Sequence, residues 1–212
     1  MKVCFVDAAC KGYLKSDWRT SASLVIADTT DKIVLEEYQV VTLGHITSQA
    51  AEIMAMTLGF KKLLELNETE VPIFTDSQYV YNTIFFDKVR NYKANFWLTK
   101  SNEQVPNRHL LEEMDEAYQA CHMPDIFHVK AHIMPLGEIG ARKLLLRDTS
   151  GESLLRFIEN KLYTSEYYKQ YINDLQETSL KINGAEMTED TAAKAIILNT
   201  LVDTIASVRL EV

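Results

Sequence analysis

The sequence predicts an α/β protein built on a mixed five-stranded sheet, with its first three strands antiparallel, flanked by helices and followed by a helical C-terminal extension. Three strand patterns come first, and only a short polar turn, residues 28–31, separates the second from the third. Helical and strand patterns then alternate up to about residue 131. After about residue 149 only helical spacing is found. This order indicates a mixed sheet rather than a pure repeat of strand and helix.

Each predicted strand is a short run of apolar and β-branched residues bounded by polar ones. The runs are residues 2–8, 21–27, 32–41, 71–75 and 126–131. Each predicted helix instead has apolar side chains at helical intervals. These helices cover residues 47–66, 76–86 and 106–120. Thr47 or Ser48 can cap the first of them.

The C-terminal part, residues 151–212, is predicted to be a helical extension of a main domain formed by residues 1–150. Residues 152–176 have helical spacing and many tyrosines, Asn183-Gly184 marks a turn, and a second helix begins near Thr188. Isolated helices of this kind would leave an apolar stripe exposed. We therefore expect the stripe to pack on the main domain, on a second copy of the chain or on a protein partner.

Composition and charge narrow the class of protein. The chain has 212 residues, of which 47% are hydrophobic and 25% charged, which is typical of a folded protein and excludes a disordered one. The net charge of −8 argues against nonspecific wrapping of nucleic acid, although it is compatible with a local basic groove. No apolar run of transmembrane length is found, and Asp7 interrupts the stretch that a signal peptide requires. We therefore expect a soluble, cytoplasmic protein with no membrane partner.

Three acids stand where predicted elements end or meet: Asp7 ends the first strand, Glu52 lies in the first helix, and Asp76 follows the fourth strand. If the first and fourth strands are neighbours, Asp7 and Asp76 project from the same sheet edge, and a helix across the sheet can point Glu52 between them. Such carboxylates repel one another unless a cation neutralises them. Oxygen ligands suit Mg²⁺ or Mn²⁺, and two such ions support phosphodiester cleavage. By position alone, an acid at a strand end or in a helix is more often a cap or a solvated charge.

Four segments carry a resemblance to a known family. Residues 47–53 (TSQAAEI) and 74–80 (FTDSQYV) resemble two signatures of type 1 ribonuclease H. Residues 107–111 (NRHLL) are similar to the family's helix before the last strand, and residues 128–132 (HVKAH) to its final strand and mobile histidine loop. The four matches occur in the family's own order within the main domain.

The resemblance implies an endoribonuclease that hydrolyses the RNA strand of RNA–DNA hybrids with two Mg²⁺ ions, for which Mn²⁺ can substitute. We expect a stand-alone enzyme rather than a fragment of a reverse transcriptase. Asp7, Glu52 and Asp76 would be its metal ligands. His132 would assist proton movement or product release from a flexible loop. Its biological use would be the removal of replication primers or R-loops. The segment 75–78 (TDSQ) argues against a DNA nuclease that shares the fold.

The same resemblance implies contacts to the substrate. Thr47 is similar to the family residue that helps to hold a phosphate of the DNA strand. Ser48, Gln49 and Gln78 match positions that contact the hybrid through small polar groups.

A basic segment lies where many relatives carry a basic protrusion for the DNA strand. Aromatic rings are interleaved with its cationic residues, which are Lys88, Arg90, Lys93, Lys100 and Arg108. Cations gain phosphate contacts and an aromatic ring can pack on a sugar or base, so we expect Trp97 and Lys100 to contact the substrate. The alternative is a solvated helix face that covers a core tryptophan.

The sequence departs from the family pattern at two places. The family's Asp-Gly-Ser after the first strand is Asp7-Ala8-Ala9 here. The family's fourth carboxylate follows the loop histidine at a spacing that leads here to Arg142, which cannot bind a cation. Other branches have a longer loop, which fits Asp148 at a predicted helix start, so we assign Asp148 as the fourth ligand and keep Glu138 in reserve. If Arg142 replaces the acid, the chain is instead a catalytically weakened nucleic-acid-binding or interaction module.

Overall fold

The computed structural model describes residues 1–12, 18–136, 138–184 and 186–209. Its strands are β1 (Lys2–Lys11), β2 (Arg19–Asp28), β3 (Val34–Gly44), β4 (Ile73–Thr75) and β5 (Ile126–His128). They form one sheet in the order β3-β2-β1-β4-β5. The first three strands pair antiparallel, whereas β4 pairs parallel with both β1 and β5. The predicted fold class is confirmed.

Helices in the described ranges are α1 (Ser48–Glu65), α2 (Gln78–Phe85), α3 (Lys88–Ala94), α4 (Arg108–Ala120), α5 (Glu138–Arg147), α6 (Glu152–Tyr163), α7 (Tyr168–Asn183) and α8 (Glu189–Arg209). Neither α3 nor α5 was among the predicted helices. The helical pattern of residues 152–176 is divided between α6 and α7. Ser165 lies in the turn that divides it, where its hydroxyl accepts a hydrogen bond from the Tyr167 amide at 3.1 Å.

Both faces of the sheet are covered by helices. Cys4 and Val6 point to one face, where they pack with residues of α1 to α4, whereas Val3 and Phe5 point to the other. On that second face lie apolar residues of the last three helices: Leu154, Leu155, Ile158, Leu162, Ile172, Leu175, Ile196, Leu201, Val202 and Ile205. The C-terminal helices therefore pack on the main domain, as one of the expected arrangements. The boundary predicted near residue 150 does not separate two hydrophobic cores.

The longest of these helices, α8, lies along β1 and β2 within this second layer. Its segment Glu189–Val208 is long and apolar enough to cross a membrane by composition alone, contrary to the expectation that no such run exists. In the structure 83% of that apolar window is buried inside the fold. A helix that is apolar nearly all round is typical of such a buried position.

A glycine allows α1 to lie directly on β1. A Cβ atom at Gly59 would be 2.8 Å from Val6 Cγ1, a contact that would force the helix away from the strand. Glu52 lies about two turns earlier on the same helix. The close packing at Gly59 therefore helps to set the distance between Glu52 and the sheet.

Candidate metal centre

Neighbouring strands place two of the predicted metal ligands side by side. β1 and β4 are parallel, with Val6 opposite Thr75, and the next residues are Asp7 and Asp76. Adjacent strands lie about 4.8 Å apart. The chain after β4 is held by the Thr75 hydroxyl, which accepts a hydrogen bond from the Ser77 amide at 3.1 Å. Both aspartates therefore occupy the same level of the sheet.

Glu52 reaches the same place from α1. Thr47 is the N-cap of this helix, and its hydroxyl accepts a hydrogen bond from the Ala50 amide at 3.2 Å. One oxygen of each of Asp7, Glu52 and Asp76 lies within 4.8 Å of the others. Asp7 is buried and the other two acids are half-buried. The structure thus brings the three acids together, and their binding of metal stays a prediction.

Burial raises the pKa of all three carboxyls, and the charge of at least one neighbouring acid adds to the effect in each case. Burial is the main cause for Asp7, whose pKa lies well above its ordinary value, and the charges of Asp76 and Glu52 add to it. Burial, followed by the charge of Asp76, raises the pKa of Glu52 to about 8. Burial also raises the pKa of Asp76, against a hydrogen bond from Asn199 that lowers it. A divalent cation would remove this electrostatic cost by neutralising the carboxylates.

Two polar side chains of α8 join the site, and the sequence analysis missed both. Asn199 is buried and lies near enough to the Asp76 carboxylate to lower the pKa of that acid. Asp203 is near enough for its charge to raise the pKa of all three clustered acids, although within the described ranges it lies outside their 4.8 Å group. The available signal was an asparagine and an aspartate four positions apart within a largely apolar stretch of the helix, a spacing that places both on one face.

The structure does not bring Asp148, the predicted fourth ligand, to the three clustered acids. Its Oδ1 accepts hydrogen bonds from the amide and hydroxyl of Ser150 at 3.0 and 2.6 Å, and its Oδ2 accepts from the Ser153 amide at 2.9 Å. These bonds hold the pKa of Asp148 well below its ordinary value. The carbonyl of the next residue, Thr149, accepts a hydrogen bond from Tyr38 on β3, two strands away from β1. Asp148 therefore stabilises the turn into α6 instead of facing the acids.

The other catalytic candidates lie in the chain after β5. The His132 side chain is 75% exposed, and its Nδ1 is 3.3 Å from Asp203 Oδ2. The ring therefore meets both α8 and solvent, which suits proton exchange. Arg142 is a half-buried residue of α5, and the side chain of Glu138 falls outside the described part of the structure.

The predicted polar contacts to substrate lie at the starts of α1 and α2. Thr47, Ser48 and Gln49 are exposed where α1 begins. Gln78 is exposed at the first residue of α2, and its amide donates to Asn82 Oδ1 at 3.0 Å. Helix N-termini are favourable positions for phosphate groups. These side chains are accessible to a ligand, and their role in binding stays a prediction.

Trp97 is buried, so its assignment as a substrate contact is wrong. It is only 4% exposed, its ring lies 6.0 Å from that of Tyr92, and the Arg108 guanidinium covers it at 5.1 Å. The backbone of Phe96 and Trp97 is left-handed, with φ of 51° and 60°, and this bend leaves Phe96 83% exposed. The alternative of a core tryptophan beneath a basic surface is therefore the correct one. Lys100 is exposed in the turn that follows.

Comparison with known proteins identifies the class. The RNase H family model matches residues 1–138, more than half of the chain, and the chain therefore belongs to the RNase H family. Ribonuclease H of Clostridium botulinum strain Hall is 27% identical over 131 residues, which cover 61% of this chain and 83% of that protein. Ribonuclease H of Treponema denticola is 32% identical over 105 residues, which cover 43% of this chain and 64% of that protein. The predicted class of enzyme, a ribonuclease H, is confirmed.

Solved structures of low sequence identity share the fold. The PFV RNase H domain in solution is 20% identical with a TM-score of 0.53, over 63% of this chain and 81% of that one. A foamy viral protease–reverse transcriptase, solved in complex with an RNA/DNA hybrid, is 19% identical with a TM-score of 0.52. That match covers 61% of this chain and 17% of the viral chain. The family match ends at the first residue of α5, so α8, with Asn199 and Asp203, lies beyond it.

Proposed function

We propose that the protein is an endoribonuclease that hydrolyses the RNA strand of RNA–DNA hybrids by two-metal-ion catalysis, leaving a 3′-hydroxyl and a 5′-phosphate. The observation that carries this proposal is the group formed by Asp7, Glu52 and Asp76, with one oxygen of each within 4.8 Å of the others in a chain of the RNase H family. Removal of replication primers or R-loops in the cytoplasm is the biological use that we propose.

The donor set fits Mg²⁺, with Mn²⁺ as a substitute. Its donor atoms are carboxylate oxygens, which are the ligands that these hard cations prefer. The raised pKa values of Asp7, Glu52 and Asp76 indicate that the site lacks compensating positive charge. When bound, two ions activate a water molecule and stabilise the leaving oxygen of the phosphodiester.

The protein's own residues would orient the reacting groups. Asp7 and Asp76 are held by neighbouring strands and Glu52 by a capped helix, so the three carboxylates are positioned before substrate binds. The exposed His132 can take up or return a proton at Nε2, because its Nδ1 faces Asp203 at 3.3 Å.

Hybrid recognition would use exposed side chains at the starts of α1 and α2. Thr47 is suited to a phosphate of the DNA strand, and Ser48, Gln49 and Gln78 are suited to sugar and 2′-hydroxyl contacts. The exposed Lys100, which belongs to the basic segment, would contact a phosphate. The ligand of the foamy viral structure, an RNA/DNA hybrid, is extended to this chain as part of the proposal.

A second candidate function is a binding module that keeps the hybrid surface but has lost turnover. It is favoured by Arg142, which stands where the family's usual spacing leads to an acid, and by the role of Asp148 in a turn. This candidate predicts that the protein binds a hybrid without cleaving it in either metal.

Cleavage assays test the proposal. The protein is incubated with a labelled RNA–DNA hybrid, single-stranded RNA or duplex DNA, in Mg²⁺ or Mn²⁺, and we expect cleavage of the hybrid alone. Asp76→Asn should lower the rate at least about 100-fold, because charge stabilisation by a bound metal is worth several kcal/mol and each ~1.4 kcal/mol is a factor of ten.

Asp148→Asn is the matched control for this assay. It makes the same chemical change in an acid that holds the turn before α6. Asparagine keeps one accepting oxygen there, and the turn lies away from the clustered acids, so the rate should stay within about twofold. Absence of hybrid cleavage in both metals would refute the enzyme and favour the binding module. Cleavage that survives Asp76→Asn undiminished would show that the activity comes from another site or a contaminant.

A further inference from the structure

A cavity of about 920 Å³ lies between the sheet and the last two helices, at the end of the sheet where β1 begins. A smaller cavity of about 300 Å³ adjoins it, and Met1, Phe74 and Thr191 line both of them. Volumes of about 300–1,000 Å³ are typical of sites that bind small organic molecules. The larger cavity is therefore of a size that suits such a ligand.

The larger cavity is remote from the clustered acids. Lys2 lines it at the start of β1, whereas Asp7 lies five residues further along that strand, about 16 Å away at ~3.3 Å per residue. The cavity also opens on the sheet face of Phe5 and Phe74, which the C-terminal helices cover, and not on the face that α1 covers. A ligand in this cavity would leave the metal centre free.

Three stacked phenylalanines form the sheet side of the two cavities. Phe5, Phe74 and Phe127 lie opposite one another on β1, β4 and β5. The ring centroids of Phe5 and Phe74 are 4.7 Å apart with an angle of 9° between the planes, and those of Phe74 and Phe127 are 5.1 Å apart with an angle of 21°. Phe127 is half-buried on the edge strand, where the stack ends. Such rings favour a further aromatic ring as their contact.

The helical side of the larger cavity is held in place by a hydrogen bond. Ser179 of α7 and Thr191 of α8 line it, together with Met187 from the turn between these helices. The Gln176 side-chain amide donates to the carbonyl oxygen of Met187 at 2.8 Å. This bond fixes the turn that supplies Met187 to the wall, so the cavity has defined apolar surfaces on both sides.

The charges around the two cavities favour a cation. Each cationic group of the walls is already paired with an acid: the Met1 ammonium with Asp28, Lys2 with Glu36 and Glu68, and Lys194 with Asp190. Glu70 and Asp125 are exposed at the wall of the larger cavity and have no ion-pair partner among the described residues. Glu68 lines the same cavity, and its buried Oε2 has no hydrogen-bond partner within that part of the chain. Buried oxygens are rarely left unpaired, so this wall also favours a ligand with N–H donors.

We propose that the larger cavity binds a planar aromatic cation that carries N–H donors. The ring packs on the phenylalanine stack, because aromatic faces attract both aromatic rings and cations. The positive charge faces Glu70 and Asp125, since hydrogen bonds between a cation and a carboxylate are about twice as strong as neutral ones. This inference does not depend on hybrid cleavage, and either can fail without the other.

Calorimetric titration of the full chain with three probe molecules tests the proposed chemistry. Proflavine is a planar fused-ring cation with amino groups, anthracene-9-carboxylate is a fused-ring anion of similar shape, and amantadine is an apolar cation without an aromatic ring. We expect one proflavine to bind per chain. Anthracene-9-carboxylate should bind at least about tenfold more weakly, because it meets acids of its own charge. Amantadine should bind at least about fivefold more weakly, because it cannot stack on the phenylalanines.

Variants of the cavity wall locate the bound probe. The double variant Glu70→Gln with Asp125→Asn removes both unpaired acids and should weaken proflavine binding at least about tenfold. The matched control, Glu116→Gln with Glu166→Gln, removes two exposed acids that line neither cavity and should bind proflavine as wild type does. Phe127→Leu keeps an apolar side chain but removes one ring of the stack, so it should weaken binding about 2–10-fold.

Several results would overturn the inference. They are absence of proflavine binding by wild type, equal or tighter binding of either comparison probe, and wild-type affinity in the variant that lacks Glu70 and Asp125. An equal loss in the matched control would show that only net charge matters, which would overturn it as well. A dimer that sedimentation detects and that proflavine does not dissociate, if Phe127→Leu abolishes it, would make a second copy of the chain the occupant instead. If Phe127→Leu fails to fold by circular dichroism, the acid variant and its control decide.

Discussion

Raising the pH should destabilise the metal-free protein, because its clustered carboxyls hold protons more tightly when the chain is folded. Burial and the charge of Asp76 raise the pKa of Glu52 from an ordinary 4.5 to about 8. Between these two values the folded state binds more protons than the unfolded state, so the free energy of unfolding falls as pH rises. The contribution is fully present below the unfolded pKa and is lost as pH passes through the folded pKa. The raised pKa of Asp7 acts in the same direction.

The size of the effect follows from the pKa of Glu52. Between pH 6.5 and pH 8 this residue alone should cost about 1.5–2 kcal/mol of stability, at about 1.4 kcal/mol per pKa unit. Burial holds the pKa of His128 below the ordinary 6.5, so this residue makes stability rise with pH. Starting at pH 6.5 removes most of that opposite contribution. Saturating Mg²⁺ should abolish the loss, because a bound cation keeps the carboxyls ionised at both pH values.

Urea unfolding followed by circular dichroism measures this effect at the two pH values, in EDTA and in excess Mg²⁺. Glu52→Gln should flatten the pH dependence in EDTA by about the amount that Glu52 contributes, since the amide does not titrate. Asp148→Asn should leave the slope unchanged, because the lowered pKa of Asp148 confines its effect to acidic pH. Equal or greater stability at the higher pH in EDTA, or an unaltered slope in Glu52→Gln, would refute the electrostatic account of the site.

Three further perturbations test the fold and the substrate surface. Gly59→Val should lower the free energy of unfolding by at least about 2 kcal/mol, because the added side chain overpacks α1 against β1. Gly140→Ala is the control: its Cβ would meet open space, so thermal unfolding should show no change or a stabilisation of up to ~1 kcal/mol. Trp97→Ala should lower the free energy of unfolding by about 3–5 kcal/mol, because it truncates a core side chain. Phe96→Ala should leave stability unchanged and weaken hybrid binding by about 1–3 kcal/mol if the exposed ring stacks on a base. The reverse pattern would contradict the assigned burial of the two rings. Lys100→Ala should reduce the slope of log affinity for a hybrid against log salt by about 0.9, and an unchanged slope would remove it from the phosphate contacts.

Local patterns in the sequence were sufficient to predict the sheet and most of the helices, whereas the group of three acids also needed the resemblance to type 1 ribonuclease H. Strand alternation, helical spacing and N-caps depend on residues close together in the chain, so they can be recognised without tertiary contacts. The prediction that Asp7 and Asp76 are neighbours needed only one long-range assumption, the pairing of the first and fourth strands, which the structure confirms. Glu52 followed from the position of one helix relative to that pair.

Only the tertiary structure decided which other side chains belong to the site. Spacing along the chain suggested Asp148, but the fold places it beside β3, where it holds a turn. Two left-handed residues bury Trp97 and expose Phe96, a choice that composition does not reveal. Asp203 and Asn199 reach the acids because an apolar helix from the far end of the chain packs over β1 and β2. Residues that are far apart in the sequence can lie side by side when their elements pack on the same sheet. The packing of these elements therefore determines which polar residues come together.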